Sequence, residues 1–320
     1  MSTEARVCLP VPERRAHLGR VFYTGEMRAR GASWREVRRQ RSASTKVRHG
    51  AYASDVTDEW HLFDLRCEAT LRSVGGSALA GPAAARFWGL PLVGSAPDVV
   101  HVRGVRRGGG YSKAIKVVSG ADPEVVDNNG VRVTTVAWTV ADCARLLPRR
   151  DALIVADAAL HLGLCSIADL RHVLHQLGRA KGVARLRWII ANADPASESA
   201  GETWMRMVVT DLGYSVVSQF PVQAEGHKHR IDLLLQGTHV GLEFDGLIKY
   251  GSDLEDPDPE QIARVVRDEK RRHARIEGRG YRLLRIIWEQ LSDPTTLDRR
   301  IRHALGQGAA RRSVPPTPPW

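Results

Sequence analysis

The chain has 320 residues, of which 43% are hydrophobic, so at about 100 to 200 residues per domain it predicts two or three folded domains and excludes a chain that is disordered throughout. Its 47 lysines and arginines against 36 acids give a net charge of +11, which favours an anionic partner, most commonly nucleic acid. No apolar run approaches the roughly 20 residues of a membrane helix, and the start lacks the apolar segment of a secretory leader. We therefore expect a cytoplasmic protein with no membrane partner.

Residues 1–17 form an N-terminal extension, and residues 18–56 follow a pattern typical of a winged helix-turn-helix. Thr24 begins a short helix that Gly31 ends, and Ser33 with Glu36 makes a capping box for a second helix. The chain then turns back on itself in a short hairpin, which predicts the wing.

The second helix of this region is basic. Helical spacing predicts that Trp34 and Val37 face inward. A hairpin over residues 46–53 follows. The arginines on the predicted outer face and in the wing are the candidate DNA contacts: Arg35, Arg38, Arg39, Arg41 and Arg48. A solvated basic helix face would give the same pattern.

Residues 57–150 predict a small α+β domain, and residues 151–196 predict a helical bridge between the two halves of the chain. The expected elements of the first range are helices over 60–72 and 77–89 and strands over 99–103, 115–119 and 131–136. Those of the second are helices over 151–164, 167–177 and 183–192.

Residues 197–306 have the order αβββαβ. Ser199 and Glu202 make a capping box for the first helix. Strands are expected over 215–220, 230–236, 239–245 and 281–288, and helices over 260–277 and 295–305. Residues 307–320 are rich in proline and are expected to be a disordered tail.

Carboxylates in this last domain suggest a site for phosphodiester hydrolysis. Asp232 lies in one predicted strand, and Glu243 and Asp245 lie two apart in the next, so the latter two share a face. If the strands are neighbours, the three converge on a Mg²⁺ or Mn²⁺ ion that ionises a water molecule. Glu202 adds an oxygen from the helix, although its place in a capping box is an equally good explanation.

A positive group is also needed for the charge that develops in the transition state. Lys249, four residues after Asp245, and Lys270 on the following helix are the candidates.

These residues resemble the PD-(D/E)XK nuclease superfamily, in the branch related to the very-short-patch repair endonuclease and the domain of unknown function 559. The resemblance covers residues 197–291 and depends on the segments ETWMR, RIDLLL, GLEFDGLIKY, DEKRR and GYRLLRIIWEQL. It implies that Asp232 and Glu243 hold the metal, with Glu202 as the helix acid. Asp245 stands where the superfamily usually has lysine, which puts the catalytic cation in doubt.

The front half resembles the AbiEi-type antitoxins, in which a winged helix-turn-helix precedes a small α+β domain. The segments FYTGEMRARGASWREVRRQ and VRHGAYA carry the first part of the likeness, and SALAGPAAARFWGLPL and VRVTTVAWTVADCARLL carry the second. The resemblance implies a protein that binds promoter DNA.

Taken together, the sequence predicts a mixed α/β, multidomain DNA-binding protein whose C-terminal domain is a Mg²⁺-dependent endonuclease. The alternative is an AbiEi-like transcriptional repressor or antitoxin whose nuclease fold is inactive, and the missing lysine favours it. A third interpretation is a component of phage defence. A homodimer and a toxin or defence partner are both left open.

Overall fold

The computed structural model describes residues 21–104, 113–246 and 259–306. The chain divides into two compact units, Met1–Ala193 and Asp194–Trp320. The described part is a mixed α and β protein with twelve helices and three sheets. None of the helices in the described ranges combines the length and apolar character needed to cross a membrane.

The first unit begins with a small sheet and two short helices. Its elements are β1 (Val21–Tyr23), α1 (Thr24–Ala29), α2 (Trp34–Ser42), β2 (Thr45–Arg48) and β3 (Ala51–Ala53). The sheet has the order β1-β3-β2 with antiparallel neighbours. The predicted capping box of α2 is present, because the Ser33 hydroxyl accepts from the Glu36 N–H and the Glu36 carboxylate accepts from the Ser33 N–H.

Helix α3 (Glu59–Ser73) supports this small sheet. Val47 of the hairpin and Leu65 of α3 belong to one buried apolar cluster. The Arg48 guanidinium donates to the Ala69 carbonyl at 2.9 Å and also to the Ser73 hydroxyl. Arg48 therefore fastens the hairpin to α3, which is a structural role beside the DNA contact that the sequence predicts.

The rest of the first unit is a five-stranded sheet with helices. The elements are β4 (Ala78–Leu79), α4 (Gly81–Phe87), β5 (Val100–Arg103), β6 (Ile115–Val117), β7 (Val125–Asn128), β8 (Val131–Thr134), α5 (Val136–Leu146), α6 (Arg149–His161), α7 (Ile167–Leu177) and α8 (Val183–Asn192). The strand order is β6-β5-β4-β8-β7. Helices α6 to α8, predicted as a bridge, belong to the first compact unit and pack with α5.

The second unit has the predicted order αβββαβ followed by two helices. The elements are α9 (Ala200–Asp211), β9 (Val216–Ala224), β10 (His227–Leu235), β11 (Val240–Phe244), α10 (Pro259–Gly278), β12 (Arg282–Ile286), α11 (Trp288–Leu291) and α12 (Pro294–Gly306). The sheet has the order β12-β11-β10-β9. Strand β10 is antiparallel to both neighbours, whereas β11 and β12 are parallel.

Adjacent residues at the end of β11 point to opposite faces of this sheet, as strand geometry requires. Phe244 contacts Trp288 edge to face at 5.0 Å between ring centroids, and a Cβ atom on Gly201 of α9 would overlap the Phe244 ring. Glu243, one residue earlier, pairs with Arg272 of α10. The sheet therefore has a closely packed apolar face towards α9 and a face towards α10 that carries charge.

Three local predictions were wrong. Trp34 is 65% exposed and does not face inward, whereas Val37 is buried as expected. Residues 77–89 begin with the short strand β4 instead of a continuous helix. Trp288 begins a short helix after β12 and is not a strand residue, although it is buried.

Candidate functional site

A cleft of about 600 Å³ lies in the second unit, on the face of the sheet that α10 covers. The central strands β10 and β11 supply the predicted acids, and α10 and β12 supply further charged groups. The lining residues are Glu198, Gln219, Lys228, His229, Arg230, Asp232, Glu243, Phe244, Asp245, Asp268, Glu269, Arg272 and Arg285. Asp232, Glu243 and Asp245 therefore line one cleft.

Asp232 is fixed by the neighbouring strand. Its Oδ2 accepts a hydrogen bond of 2.8 Å from the Phe244 backbone N–H. On the other side, Gln219 of β9 has a left-handed φ of +49°, a conformation that non-glycine residues adopt only in a few per cent of cases. The ladder pairs on either side of it are Ile231 with Phe220 and Leu233 with Ser218, so the backbone distortion lies opposite Asp232.

Glu243 is the most buried acid of the cleft, at 6% exposure. Its Oε2 accepts from Nη2 of Arg272 at 2.8 Å. Its Oε1 is buried and has no hydrogen-bond partner among the described residues. A buried carboxylate oxygen without a partner costs about 1 to 3 kcal/mol. Among the described residues, this oxygen and Nε2 of His229 are the lining atoms that are buried without a partner.

Acidic and basic side chains alternate along the cleft, from Glu243 through Arg272, Glu269 and Arg285 to Asp245. Arg272 also donates through Nε to Glu269 at 2.9 Å, and Arg285 donates to the same Glu269 at 2.9 Å. The Nη1 atom of Arg285 lies 3.5 Å from Oδ2 of Asp245. Burial by itself lowers the pKa of the Arg272 guanidinium. Its hydrogen bonds to Glu269 and the negative charges of Glu243 and Glu269 raise the pKa by more, so it lies above the ordinary value for arginine.

Glu202 does not line the cleft. Its Oε1 accepts from the Ser199 hydroxyl at 2.8 Å, and its Oε2 accepts from the Glu198 N–H at 3.0 Å and from the Gln219 side chain at 2.9 Å. The carboxylate thus serves the first turn of α9 and holds Gln219 opposite Asp232. The capping interpretation accounts for the contacts with Ser199 and Glu198, and the bond from Gln219 links the same carboxylate to β9.

Of the two predicted lysines, Lys270 lies among the described residues. Lys249 lies outside the described residues. Lys270 is an exposed residue of α10 and is not among the lining residues. The cations that the described structure places in the cleft are Lys228 and Arg230 of β10, Arg272 of α10 and Arg285 of β12.

The donor chemistry of the cleft suits a hard divalent cation, although its present geometry does not gather a full ligand set. No three His, Cys, Asp or Glu side chains in the described ranges lie close enough together to hold a metal ion. Mg²⁺, however, is usually held by one or two carboxylates together with water and substrate phosphate. Asp232 and the unpartnered Oε1 of Glu243 are two carboxylate donors of this kind that line one cleft.

Basic residues of β10 form one side of the cleft. Lys228 and Arg230 line it, and Arg230 pairs with Glu198 at 2.7 Å. Burial lowers the pKa of His229 between them, and Arg272, Arg275 and His227 lower it further. His229 is therefore neutral near pH 7.

A second candidate surface lies in the first unit, on α2. Arg35, Arg38 and Arg39 are exposed, as predicted. Arg41 is exposed too, with its guanidinium 5.0 Å from the centroid of the Tyr52 ring. The exposed Trp34 begins the same helix, and the guanidinium of Arg28 lies 4.8 Å from its ring centroid. The outer side of α2 therefore presents arginines beside an aromatic ring.

Sequence reasoning missed Glu269, Arg272 and Arg285 as cleft residues. The segment DEKRR at residues 268–272 carried part of the signal. What it could not show is which of the consecutive basic residues points to the sheet. Only the position of α10 over β11 and β12 selects Arg272 over the exposed Lys270 and Arg271.

Comparison with known proteins gives no functional name. No family model matches the chain. Two uncharacterized proteins of Mycobacterium tuberculosis, from strains CDC 1551 / Oshkosh and ATCC 25618 / H37Rv, are each 26% identical to it over 180 residues, or 55% of this chain. The match spans 63% of the length of each relative. The crystal structure of the RV2827C protein from M. tuberculosis aligns with 60% of this chain and 84% of its own at 16% identity and a TM-score of 0.35, which is too low to establish a shared fold.

Proposed function

We propose that the protein is a cytoplasmic DNA-binding protein whose C-terminal unit is a Mg²⁺-dependent endonuclease. The observation that carries this proposal is the cleft itself. Asp232 and Glu243, from two separate strands, line it together, and Glu243 presents a buried oxygen that has no partner among the described residues. A charged side chain is rarely buried in a sheet unless it is paired or binds a metal.

We also propose a finer division of the chain into three domains. Elements β1 to β3 with α1 and α2 form a winged helix-turn-helix, the five-stranded sheet and its helices form an AbiEi-like α+β domain, and the second unit is a restriction-endonuclease-like αβββαβ domain. The strand order β12-β11-β10-β9 supports the last part, because it puts the acid-bearing β10 and β11 at the centre.

In this proposal Asp232 and Glu243 hold the cation, and Asp245 adjoins them in the same cleft. Bound Mg²⁺ supplies an ionised water near neutral pH and neutralises phosphate oxygens. Glu202 acts indirectly, since it positions Gln219 opposite Asp232. Lys228 and Arg230 on the wall of the cleft contact the DNA backbone.

The test of cleavage is incubation of supercoiled plasmid with the full chain and Mg²⁺ or Mn²⁺. We expect nicked or linear product, complete loss of it with EDTA, and loss by at least about 100-fold in Asp232→Asn and Glu243→Gln, because each removes a metal-binding charge. Arg271→Gln is a control at an exposed position of α10 outside the cleft lining and retains activity. Equal cleavage by the wild type and both acid variants would remove the assignment.

Binding to DNA is tested separately from cleavage. We expect the double variant Arg38→Ala plus Arg39→Ala to weaken binding, and the salt dependence of its affinity to be shallower by about two phosphate contacts. In EDTA, Glu243→Gln keeps the salt dependence of binding that the arginines of α2 confer. A labelled duplex and fluorescence anisotropy at several salt concentrations give both quantities, and unchanged affinity in the double variant would contradict the role of α2.

A specific observation favours a second candidate function, a transcriptional repressor or antitoxin that uses the nuclease fold only as a scaffold. Arg272 already neutralises Glu243, as a permanent structural ion pair would. This alternative predicts salt-sensitive DNA binding through α2 and no cleavage with any metal. The plasmid experiment decides between the two.

A further inference from the structure

Two arginines of the cleft in the second unit each bridge an acid of β11 to Glu269 of α10: Arg272 bridges Glu243, and Arg285 bridges Asp245. Arg272 meets Glu243 through a single nitrogen, Nη2, at 2.8 Å, and its remaining carboxylate bonds go to Glu269. Nη1 of Arg272 donates to the backbone carbonyl of Arg230 at 3.2 Å. Arg285 reaches Asp245 only at 3.5 Å. The strand acid Glu243 thus shares Arg272 with Glu269 and holds it by one of its two oxygens.

Each partner in the pair Arg272–Glu243 has a different environment. Glu243 is buried, whereas 29% of the Arg272 side chain is exposed to the cleft. A guanidinium binds phosphate oxygens with the same planar fork that binds a carboxylate. An entering phosphodiester can therefore take over Arg272 from the solvent side, while Glu243 stays in place.

The net charge of the cleft makes such an exchange depend on a cation. Its lining contains six carboxylates and four lysine or arginine side chains, an excess of two formal negative charges. A phosphodiester that enters this cleft is repelled unless a further positive charge enters with it. A divalent cation, in turn, is repelled from Glu243 while Arg272 is paired with it.

We propose that Arg272 is an exchange group: it neutralises Glu243 in the ligand-free protein and binds a DNA phosphate in the complex, so that DNA and the divalent cation bind cooperatively. The inference builds on the proposed function and specifies how its site is loaded. The released Oε2 of Glu243 joins the unpartnered Oε1 in facing the cation. Without DNA, Arg272 keeps the cleft in a form with low affinity for metal.

The coupling is measured as binding of Mn²⁺ to the full chain, followed by the electron paramagnetic resonance signal of free Mn²⁺. Each titration is done with and without a short duplex of phosphorothioate linkages, which slows cleavage. We expect the duplex to tighten Mn²⁺ binding to the wild type about 10-fold, within the usual range of 5- to 150-fold for coupled sites. By linkage, Mn²⁺ tightens duplex binding by the same factor.

The decisive variant is Arg272→Gln. Without DNA, this variant binds Mn²⁺ about as tightly as the wild type does with DNA. The factor by which the duplex tightens its Mn²⁺ binding falls close to one. Arg271→Gln is the matched control, because it removes the same charge from the next position, where Arg271 is exposed and pairs only weakly with Asp268 at 3.7 Å. It keeps the wild-type coupling. Should Arg272→Gln fail to fold, Arg272→Lys keeps the charge, loses the fork and gives intermediate Mn²⁺ affinity.

Two outcomes overturn the proposal in distinguishable ways. If Arg272→Gln and Arg272→Lys match the wild type in Mn²⁺ affinity and coupling, while Glu243→Gln loses Mn²⁺ binding, the exchange role is wrong and the metal site stands. If Mn²⁺ binds no variant, with or without the duplex, both the exchange role and the proposed endonuclease fail.

Discussion

The two units of this protein each contain an arginine paired with a buried carboxylate, and the two pairs differ in how completely they are enclosed. In the first unit, Arg103 makes two bonds to Asp142, at 2.6 and 2.7 Å, and the two side chains are 2% and 0% exposed. In the second unit, Arg272 makes one bond to Glu243, whose other oxygen has no partner among the described residues.

The surroundings extend this difference. Arg103 also donates to the Ala121 carbonyl at 2.8 Å and lies over the buried Trp138 ring, and Arg145 provides Asp142 with a second cation at 3.1 Å. These groups satisfy both sides of the pair. The same residue types make an enclosed structural ion pair in the first unit and, as we propose, a site that accepts ligands in the second. The unsatisfied oxygen of Glu243 and its partly exposed partner Arg272 distinguish the second case.

The largest expected effect on stability comes from removing the carboxylate of the enclosed pair, and the same change in the pair of the second unit is the comparison. Asp142→Asn leaves Arg103 buried without its counter-charge and lowers the free energy of unfolding of the first unit by about 3 kcal/mol or more. Glu243→Gln leaves Arg272 paired with Glu269 and partly solvated, and lowers that of the second unit by less than about 1 kcal/mol. Calorimetry of the full chain measures both transitions. A larger loss in Glu243→Gln than in Asp142→Asn would contradict the comparison.

The two faces of β11 provide a second contrast within one unit. Gly201→Ala places a methyl group against the Phe244 ring, on the packed face, and overpacking of this kind costs about 1 to 3 kcal/mol. Gly278→Ala is the control: it is the last residue of α10, nothing lies within 4 Å of its added Cβ, and alanine favours the helix by up to about 1 kcal/mol. Thermal unfolding should separate the variants in opposite directions, and equal midpoints would show that the Phe244 face has room to adjust.

The smallest expected effect concerns Glu68 of α3, whose carboxyl group forms no ion pair with an arginine among the described residues. Burial, with a smaller contribution from Asp64, raises the pKa of Glu68 in α3 from 4.5 to about 7. The folded protein thus binds more protons than the unfolded chain between these two values, and stability falls as the pH rises through that window. Glu68→Gln removes this loss and raises stability at pH 8 by about 1 kcal/mol after allowance for solvent screening, with little change at pH 4.

Unfolding midpoints of the wild type and Glu68→Gln at pH 4, 6 and 8 check this sign. A wild-type protein that becomes more stable than the variant above pH 7 would mean that a cation neutralises Glu68 in solution. In that case Glu68 would resemble the enclosed pair of the first unit and not a solitary buried acid.

The comparison also shows which features a sequence predicts. The helices over 167–177 and 183–192 agree with the structure at both ends, and the capping box of Ser33 and Glu36 forms as expected, because these signals lie within a few residues of each other. Strands β1 and β7 were not predicted. Each is three or four residues long and depends on a partner strand for its stability.

In the candidate site, too, local sequence patterns were informative and contacts between distant residues were not. The shared cleft of Asp232, Glu243 and Asp245 followed from strand alternation and the order of the elements. The pairing of Glu243 with Arg272 did not, because the two are 29 residues apart and on different elements. Trp34 shows a second limit of sequence reasoning. Helical spacing predicts which residues lie on the same side of a helix, but it does not predict whether other parts of the chain cover that side at the first turn.

The most direct test of the account is a crystal of the full chain with a short phosphorothioate duplex and Mn²⁺, measured at the manganese absorption edge. The account predicts an anomalous peak in the cleft, within about 2.0 to 2.6 Å of carboxylate oxygens of Glu243 and Asp232, with Arg272 on a phosphate of the duplex. Bound duplex with no peak in the cleft, and with Arg272 still paired to Glu243, would contradict it.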